Sequence, residues 1–315
     1  MIRDLDYFKS TDGIFYIVKG DYHPRGKILA YPVFWPDSNG DRYHPLLKQN
    51  YQKDTNDTSN NRVISIKKYE FYKYFPSCPL VPTRCISKIY RPRAARHRFL
   101  KIKQKSVWHD ILWAIHRIGG VPLKDIGIFG SYLIGFYDKL FNIRKDIDYV
   151  VYGFDNYLKL KKYISEIIYG LSLGSISDDH IDYEVKKLGS CFNANNNTFD
   201  KTLARKWSSI QISPGILTTI RFVYQNNEIP KNPIICDELA KISINGKVVE
   251  SSGANFMPRV FMVKSAGRTY RIVTYYWIYQ SPVRNGDTVE ITGIIHNDRK
   301  TISINRLDHG IKIIN

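Results

Sequence analysis

The 315-residue chain is poor in cysteine, in acid and in long apolar runs, and each shortage excludes something. Its four cysteines, Cys78, Cys85, Cys191 and Cys236, are widely spaced. The seven-residue offset of Cys78 and Cys85 fits no standard zinc knuckle, and a disulfide-stapled secreted scaffold needs denser cysteine. Reduced thiols in a cytoplasmic protein are expected, with a Cys78–Cys85 bridge as the alternative. No apolar run is long enough to span a bilayer, so no transmembrane helix and no membrane partner are expected. Residues 1–6 lack the basic-then-apolar order of a secretory leader. Acid is scarce as well: 29 Asp and Glu face 47 Lys and Arg, for a net charge of +18 and a pI near 9.6. Such an excess implies an anionic partner, nucleic acid first.

What is present suffices for folding. Apolar residues make up 43% of the chain, enough for real cores, and the length suggests two or three domains. Residues 1–83 read as a β-rich accessory domain. Two β-like runs, 13–20 and 27–35, are split by a turn at His23-Pro24-Arg25-Gly26, and the polar stretch 53–61 reads as a loop. His23 and His44 each precede proline and suit turns better than metal binding. From residue 84 to 105 the charge is all basic. Arg84, Lys88, Arg91, Arg93, Arg96, Arg98, Lys101, Lys103 and Lys105 are interleaved with Tyr90 and Phe99. Cations that track phosphates, with aromatics for base stacking, suit single-stranded nucleic acid. The alternative is a solvated linker, because Pro92 is expected to break any helix there.

Residues 84–232 read as the catalytic core. A helix over 106–118 starts at the N-cap candidate Ser106 and stops at Gly119-Gly120. His109 and His116 share its face, and with no motif nearby a structural role is expected. A strand over 124–129 then ends in Gly130-Ser131, with a helix over 132–137 after it. A second strand, 147–152, carries Asp146 and Asp148 at its start, and a helix over 154–169 follows. Side chains two apart on a strand point the same way. Two such carboxylates repel unless a cation sits between them, and the expected ion is Mg²⁺ or Mn²⁺. Asp182 and Glu184 alternate with apolar residues and are expected to share a strand face.

The order strand, Gly-Ser, helix, strand, Asp-x-Asp resembles the DNA polymerase β-type nucleotidyltransferase superfamily. The whole layout is also similar to archaeal proteins described only as polymerase β domain proteins. The resemblance implies that Gly130 and Ser131 hold a nucleoside triphosphate and that Asp146 and Asp148 bind the catalytic metal. It also implies that the basic residues Arg205, Lys206 and Arg221 lie near phosphates, although a plain helix surface is the competing reading of that cluster. Two departures stand out. The 14-residue spacer between Ser131 and Asp146 is slightly long for the family. The third catalytic acid falls on Thr219, which cannot serve as a base at neutral pH. Asp182 and Glu184 are the candidate replacements.

Residues 233–315 read as successive short strands with turns at Asn245-Gly246 and Asn285-Gly286-Asp287, suggesting an OB-like barrel. Tyr270, Tyr275, Tyr276, Trp277 and Tyr279 are candidates for a stacking face. The expected fold is therefore α+β: a mixed nucleotidyltransferase-type sheet with packed helices, flanked by a β-rich domain and an OB-like barrel. The expected activity is Mg²⁺-dependent transfer of an NMP from an NTP to a hydroxyl, most simply at an RNA or DNA end. The alternatives are a catalytically degenerate scaffold that binds nucleic acid, and a toxin or defence component that modifies a partner protein.

Overall fold

A computed structural model of the chain describes residues 1–53, 69–72, 75–102, 106–136, 146–192, 205–231, 237–276, 279, 283–306 and 308–314. The architecture is α+β, with three sheets and few helices. Two compact units are present. The first comprises Met1–Glu70, Leu80–Ile176 and Trp207–Ile229, and the second comprises Phe71–Pro79, Ser177–Lys206 and Pro230–Asn315. The boundary expected at residue 83 falls inside the first unit.

The N-terminal sheet contains β1 (Tyr7–Ser10), β2 (Phe15–Val18), β3 (Lys27–Pro36), β4 (Arg42–His44), β5 (Gln49–Lys53), β6 (Phe71–Tyr72), β7 (Phe75–Pro82) and β8 (Ile86–Tyr90). The main path runs β4-β5-β3-β2-β1-β8, and the end of β7 pairs with the start of β3. Phe8, Tyr16, Val18, Ile28, Ala30 and Val81 form one buried apolar cluster. Lys53, expected to open a loop, is the last residue of β5, opposite Phe34. Most of that loop lies outside the described residues.

Helix α1 (Pro92–Leu100) follows, where a broken linker was the competing expectation. Pro92 starts the helix rather than breaking it, because the first helical residue needs no N–H and proline's fixed φ suits the position. Helix α2 (Val107–Arg117) begins after Ser106 as expected. Five more strands build the central sheet: β9 (Ile126–Phe129), β10 (Asp148–Tyr152), β11 (Gly174–Ser175), β12 (Ser209–Ser213) and β13 (Ile216–Val223). Their order is β11-β12-β13-β10-β9. The sheet is mixed: β10 runs parallel to β13 and antiparallel to β9. Between β9 and β10 lies α3 (Ser131–Ile134), and after β10 comes α4 (Phe154–Gly170). Tyr149 on β10 hydrogen-bonds the Trp108 carbonyl of α2, and Phe222 on β13 packs on Tyr157 of α4. α1 closes on the sheet at Gly127, where a Cβ would sit only 2.6 Å from Pro92.

Asp182 and Glu184 do not share a strand face. They lie in α5 (Asp178–Phe192), in the second unit. Ile181 and Val185, four apart, are the buried residues of its first turns, so the apolar period here is helical.

The rest of the second unit is a closed five-stranded barrel. Strands β14 (Glu238–Glu250), β15 (Arg259–Ser265), β16 (Arg268–Thr274), β17 (Thr288–His296) and β18 (Thr301–Ile304) close in the order β14-β15-β16-β18-β17-β14, and β19 (Gly310–Ile313) adds to β17. This is an OB-like barrel. Asn245-Gly246 is not a turn. It lies inside β14, where the strand passes from pairing with β17 to pairing with β15. A Cβ at Gly246 would stand 2.6 Å from the Lys264 carbonyl oxygen, so glycine permits a close backbone approach there. Of the candidate stacking residues, Tyr275, Tyr276 and Tyr279 are 1%, 3% and 2% exposed and belong to the core, whereas Tyr270 is half-buried. Trp277 lies outside the described residues. No described helix is long and apolar enough to cross a membrane. Cys78 is buried and Cys85 half-buried; Cys236 is not described.

Candidate functional site

The site assembles where β9, β10 and β13 lie side by side. Asp148 stands opposite Phe129 in the β9–β10 register. β13 lies on the other side of β10, with Ile220 opposite Tyr149. Thr219 is thereby beside Asp148, and its backbone N–H donates to Asp148 Oδ1 at 2.9 Å. Thr219 therefore lies next to Asp148 and offers it an amide hydrogen. The Thr219 hydroxyl is 3.4 Å from Ser209 Oγ on β12.

Two observations favour glycine at position 130. Its backbone adopts φ 78° and ψ −151°, a conformation essentially closed to other residues. A Cβ there would also lie 3.2 Å from Asp148 Oδ2. The turn after β9 thus leaves open the space over the Asp148 carboxylate. The expected helix over 132–137 is a single turn, α3, stopped by Gly135 at φ 97°. So short a helix has little dipole with which to hold an anion.

Asp148 is half-buried, and its pKa is pushed up to about 6. Burial is the largest cause, and the neighbouring Asp146 charge adds to it. The Arg221 charge, the Thr219 N–H and the Lys53 charge act in the opposite sense. Asp146 is exposed. Arg221, on β13, sets its guanidinium over the Phe129 ring at 5.4 Å, and its Nε is buried with no acceptor among the described residues. Tyr7 on β1 is buried close to both charges. Its phenol is raised by burial and by Asp148, and Arg221 opposes the rise. Tyr7 lies on the N-terminal sheet, and the sequence reading did not single it out.

Two carboxylates and a space that a Cβ would fill suit a hard cation that keeps water or phosphate oxygens as its other ligands. Among the described residues no group of three or more His, Cys, Asp or Glu side chains forms a metal cage. A Mg²⁺ or Mn²⁺ here would take Asp146 and Asp148 and draw the rest of its shell from the substrate.

The other basic candidates scatter. Arg205 is ion-paired with Asp287 inside the second unit, as an internal tie of the kind a structural role requires. Lys206 belongs to the same unit. Arg93, partly exposed, is bonded to Asp125 at 3.1 Å and Gln225 at 3.0 Å and stacked over Tyr152 at 3.9 Å. Arg96 is buried on the carbonyls of Leu123 and Ile126, and Arg98 donates to the Leu133 carbonyl at 2.9 Å. Arg91 and Lys101 are exposed, and Lys103 lies outside the described residues. Three of the histidines make packing or backbone contacts. His109 stacks on Phe99 at 4.0 Å, His116 bonds the Val121 carbonyl, and the His23 ring accepts from the Leu29 N–H.

No family model matches the chain. An uncharacterized protein of Methanocaldococcus jannaschii is 23% identical over 245 residues, spanning 66% of this chain and 70% of that protein. Among solved structures, the tetrameric p202 HIN2 structure is similar at a TM-score of 0.21 and 10% identity, over 34% of this chain and 62% of that one. A full-length MCM homolog from Methanopyrus kandleri is similar at 0.18 and 14%, over 65% of this chain and 36% of that one. This chain thus spans less than two thirds of either solved chain, and at these scores neither superposition bears on the site.

Proposed function

We propose that the chain is a metal-dependent nucleotidyltransferase acting on a nucleic-acid hydroxyl. The observation that carries this reading is the packing of Gly130, in a glycine-only conformation, over the carboxylate of Asp148 with Asp146 beside it. Two acids that repel each other, one of them half-buried, are held together at a stability cost, and a cation removes that cost. When bound, the divalent ion would neutralise charge developing on the triphosphate. Asp146 and Asp148 would hold it, Thr219 N–H fixes the Asp148 rotamer, and the Arg221 charge favours the ionised carboxylate of Asp148. The acceptor oxygen bonds the α-phosphorus, the α–β bridging bond breaks, and pyrophosphate leaves. Thr219 cannot take the hydroxyl proton, so it passes to water.

Nucleic acid as the acceptor is supported by the charge and by the barrel. Lys247 and Lys264 are exposed and stand directly opposite each other on β14 and β15, with Arg268 and Arg271 exposed on β16. Like charges facing across strands are unfavourable without a polyanion. A second reading, metal and nucleotide binding without transfer, is favoured by Thr219 at the third-acid position. The test supplies each of the four α-labelled NTPs with Mg²⁺ or Mn²⁺ to total RNA, single-stranded DNA and the protein alone. The control is the Asp146→Ala/Asp148→Ala variant. Label in a nucleic acid that vanishes in the variant is expected. Binding of NTP without any label selects the second reading, and neither binding nor label removes both.

A further inference from the structure

A single helical turn does not hold its own shape, so the backbone after Gly130 must be fixed from outside α3. The carbonyls of α3 show how. Those of Ser131 and Tyr132 accept from the N–H groups of Phe136 and Gly135, at 3.1 and 3.2 Å. The next two accept from side chains distant in the chain. Arg98 on α1, itself exposed, donates to the Leu133 carbonyl at 2.9 Å, and His44 at the end of β4 bonds the Ile134 carbonyl at 2.9 Å. His44 makes that bond through Nε2, while its Nδ1 accepts from the Leu47 N–H at 3.2 Å. Only a neutral imidazole with its proton on Nε2 makes both bonds. The ring is 2% exposed and packs on Phe15, Tyr51 and Phe136, at 5.8, 6.2 and 5.1 Å between centroids. Phe136 is in turn inserted among Phe15, Phe34 and Tyr51, at 5.8, 4.6 and 5.4 Å. The β4–β5 hairpin is therefore fastened to the segment that follows Gly130-Ser131.

We propose that His44 is a positioning residue of the site: it latches the Gly130-Ser131 turn in the place that keeps the space over Asp148 open. This rests on the reading of Asp146 and Asp148 as a metal–triphosphate site. The margin is small, because a Cβ at Gly130 would already lie 3.2 Å from Asp148 Oδ2, and a turn that shifts inward fills the same space. The latch also has a pH dependence. A proton on Nδ1 would replace the Leu47 bond with two opposed N–H groups and would bury a charge. Lys9 on β1 and Lys88 on β8 oppose that charge as well, and Tyr51 on β5 is the titratable ring packed on the imidazole. The closed latch thus holds its imidazole below the ordinary value of 6.5, chiefly through burial. The sign follows: an opened, solvated His44 takes the proton and the closed one does not, so the latch is firm above about pH 6.5 and loosens as the pH falls.

The experiment uses the full chain, His44→Gln and His44→Phe, each checked for an unchanged circular dichroism spectrum. Glutamine can still donate to the Ile134 carbonyl but does not titrate, and phenylalanine fills the pocket without either bond. Hydrogen exchange of the Gly135 and Phe136 amides reads the turn directly. Between pH 7.5 and 5.5 their protection in the parent is expected to fall up to about tenfold more than in His44→Gln. Asp6 and Asp148 titrate in both proteins and cancel in that difference. Inorganic tripolyphosphate with Mg²⁺, followed by calorimetry at pH 8, reads the site. His44→Phe is expected to bind it about tenfold more weakly than the parent, and His44→Gln to recover most of the loss. Equal protection in the parent and His44→Phe overturns the latch. Protection lost in His44→Phe with tripolyphosphate binding unchanged makes the contact merely structural and overturns the positioning role. Mn²⁺ alone, followed by electron paramagnetic resonance, tests the underlying reading. A parent that binds neither Mn²⁺ nor tripolyphosphate overturns that reading and the positioning role with it, even where the exchange behaves as expected.

Discussion

Replacing Asp148 by asparagine should make the metal-free protein more stable. In the folded chain this carboxyl titrates near 6, against 3.8 when unperturbed, chiefly through burial and then through Asp146. The folded state therefore holds the proton more tightly than the unfolded state. The stability linked to this group is fully present below about pH 4, and it is lost as the pH rises through about 6. The gap corresponds to roughly 3 kcal/mol at neutral pH, an upper figure because the site is only half-buried. Asparagine has the shape of the protonated acid and can still accept the Thr219 N–H. Urea unfolding of parent and variant, compared from about pH 4 to pH 8, should show curves that meet in acid and diverge upward, the variant being the more stable by up to about 3 kcal/mol. Asp6 is likewise raised to about 6, but it is common to both proteins and cancels in the difference. Adding Mn²⁺ at a hundredfold excess over its Kd should restore about 2.7 kcal/mol to the parent alone. A variant less stable than the parent at neutral pH, or one with the same pH slope, would refute the reasoning.

Three further outcomes are expected. Phe136→Ala removes a buried ring from its aromatic setting and should cost about 3–5 kcal/mol in urea unfolding, with triphosphate binding lost alongside. Gly130→Ala should cost about 1–3 kcal/mol for its backbone conformation and should weaken Mn²⁺ binding by displacing Asp148, measured by paramagnetic resonance. Arg205→Ala opens the ion pair with Asp287 and should cost about 1.5–3 kcal/mol while leaving tripolyphosphate affinity unchanged, in contrast to Arg221→Ala, which should reduce it.

The strands were legible where one period dominated. Isoleucine and phenylalanine ending at Gly130, and the run after Asp148, announced β9 and β10, and caps located α2 and α4. Where two periods coexist, the reading failed. Ile181, Tyr183 and Val185 alternate like a strand, yet Ile181 and Val185 also lie one helical turn apart, and the helix won. Pro92 misled because a proline stops a helix in its interior and starts one at its first residue, and sequence alone did not say which applied. Asn245-Gly246 misled because a glycine needed for close backbone approach looks like a glycine needed for a turn. The basic run 91–103 announced charge but not where it points. Arg93 and Arg96 satisfy acceptors within the first unit, which only tertiary packing reveals. Tyr7 was invisible as a neighbour of Asp148 because the two are far apart along the chain.

The strand that seats Asp148 is also the last strand of its unit to be synthesised. β13 carries Thr219 and Arg221, and it follows thirty residues, Ser177–Lys206, that belong to the other unit. Arg3, near the other end of the chain, donates to the Tyr224 carbonyl at 2.7 Å. During synthesis, both acids leave the ribosome well before their amide donor, and until β13 arrives β10 has a bare edge. A product cut short before residue 209 would keep the Asp-x-Asp pair and the glycine turn but lack the strand that holds them in register. Such a fragment would carry the recognisable motif without a site, and its unpaired strand would favour aggregation over catalysis.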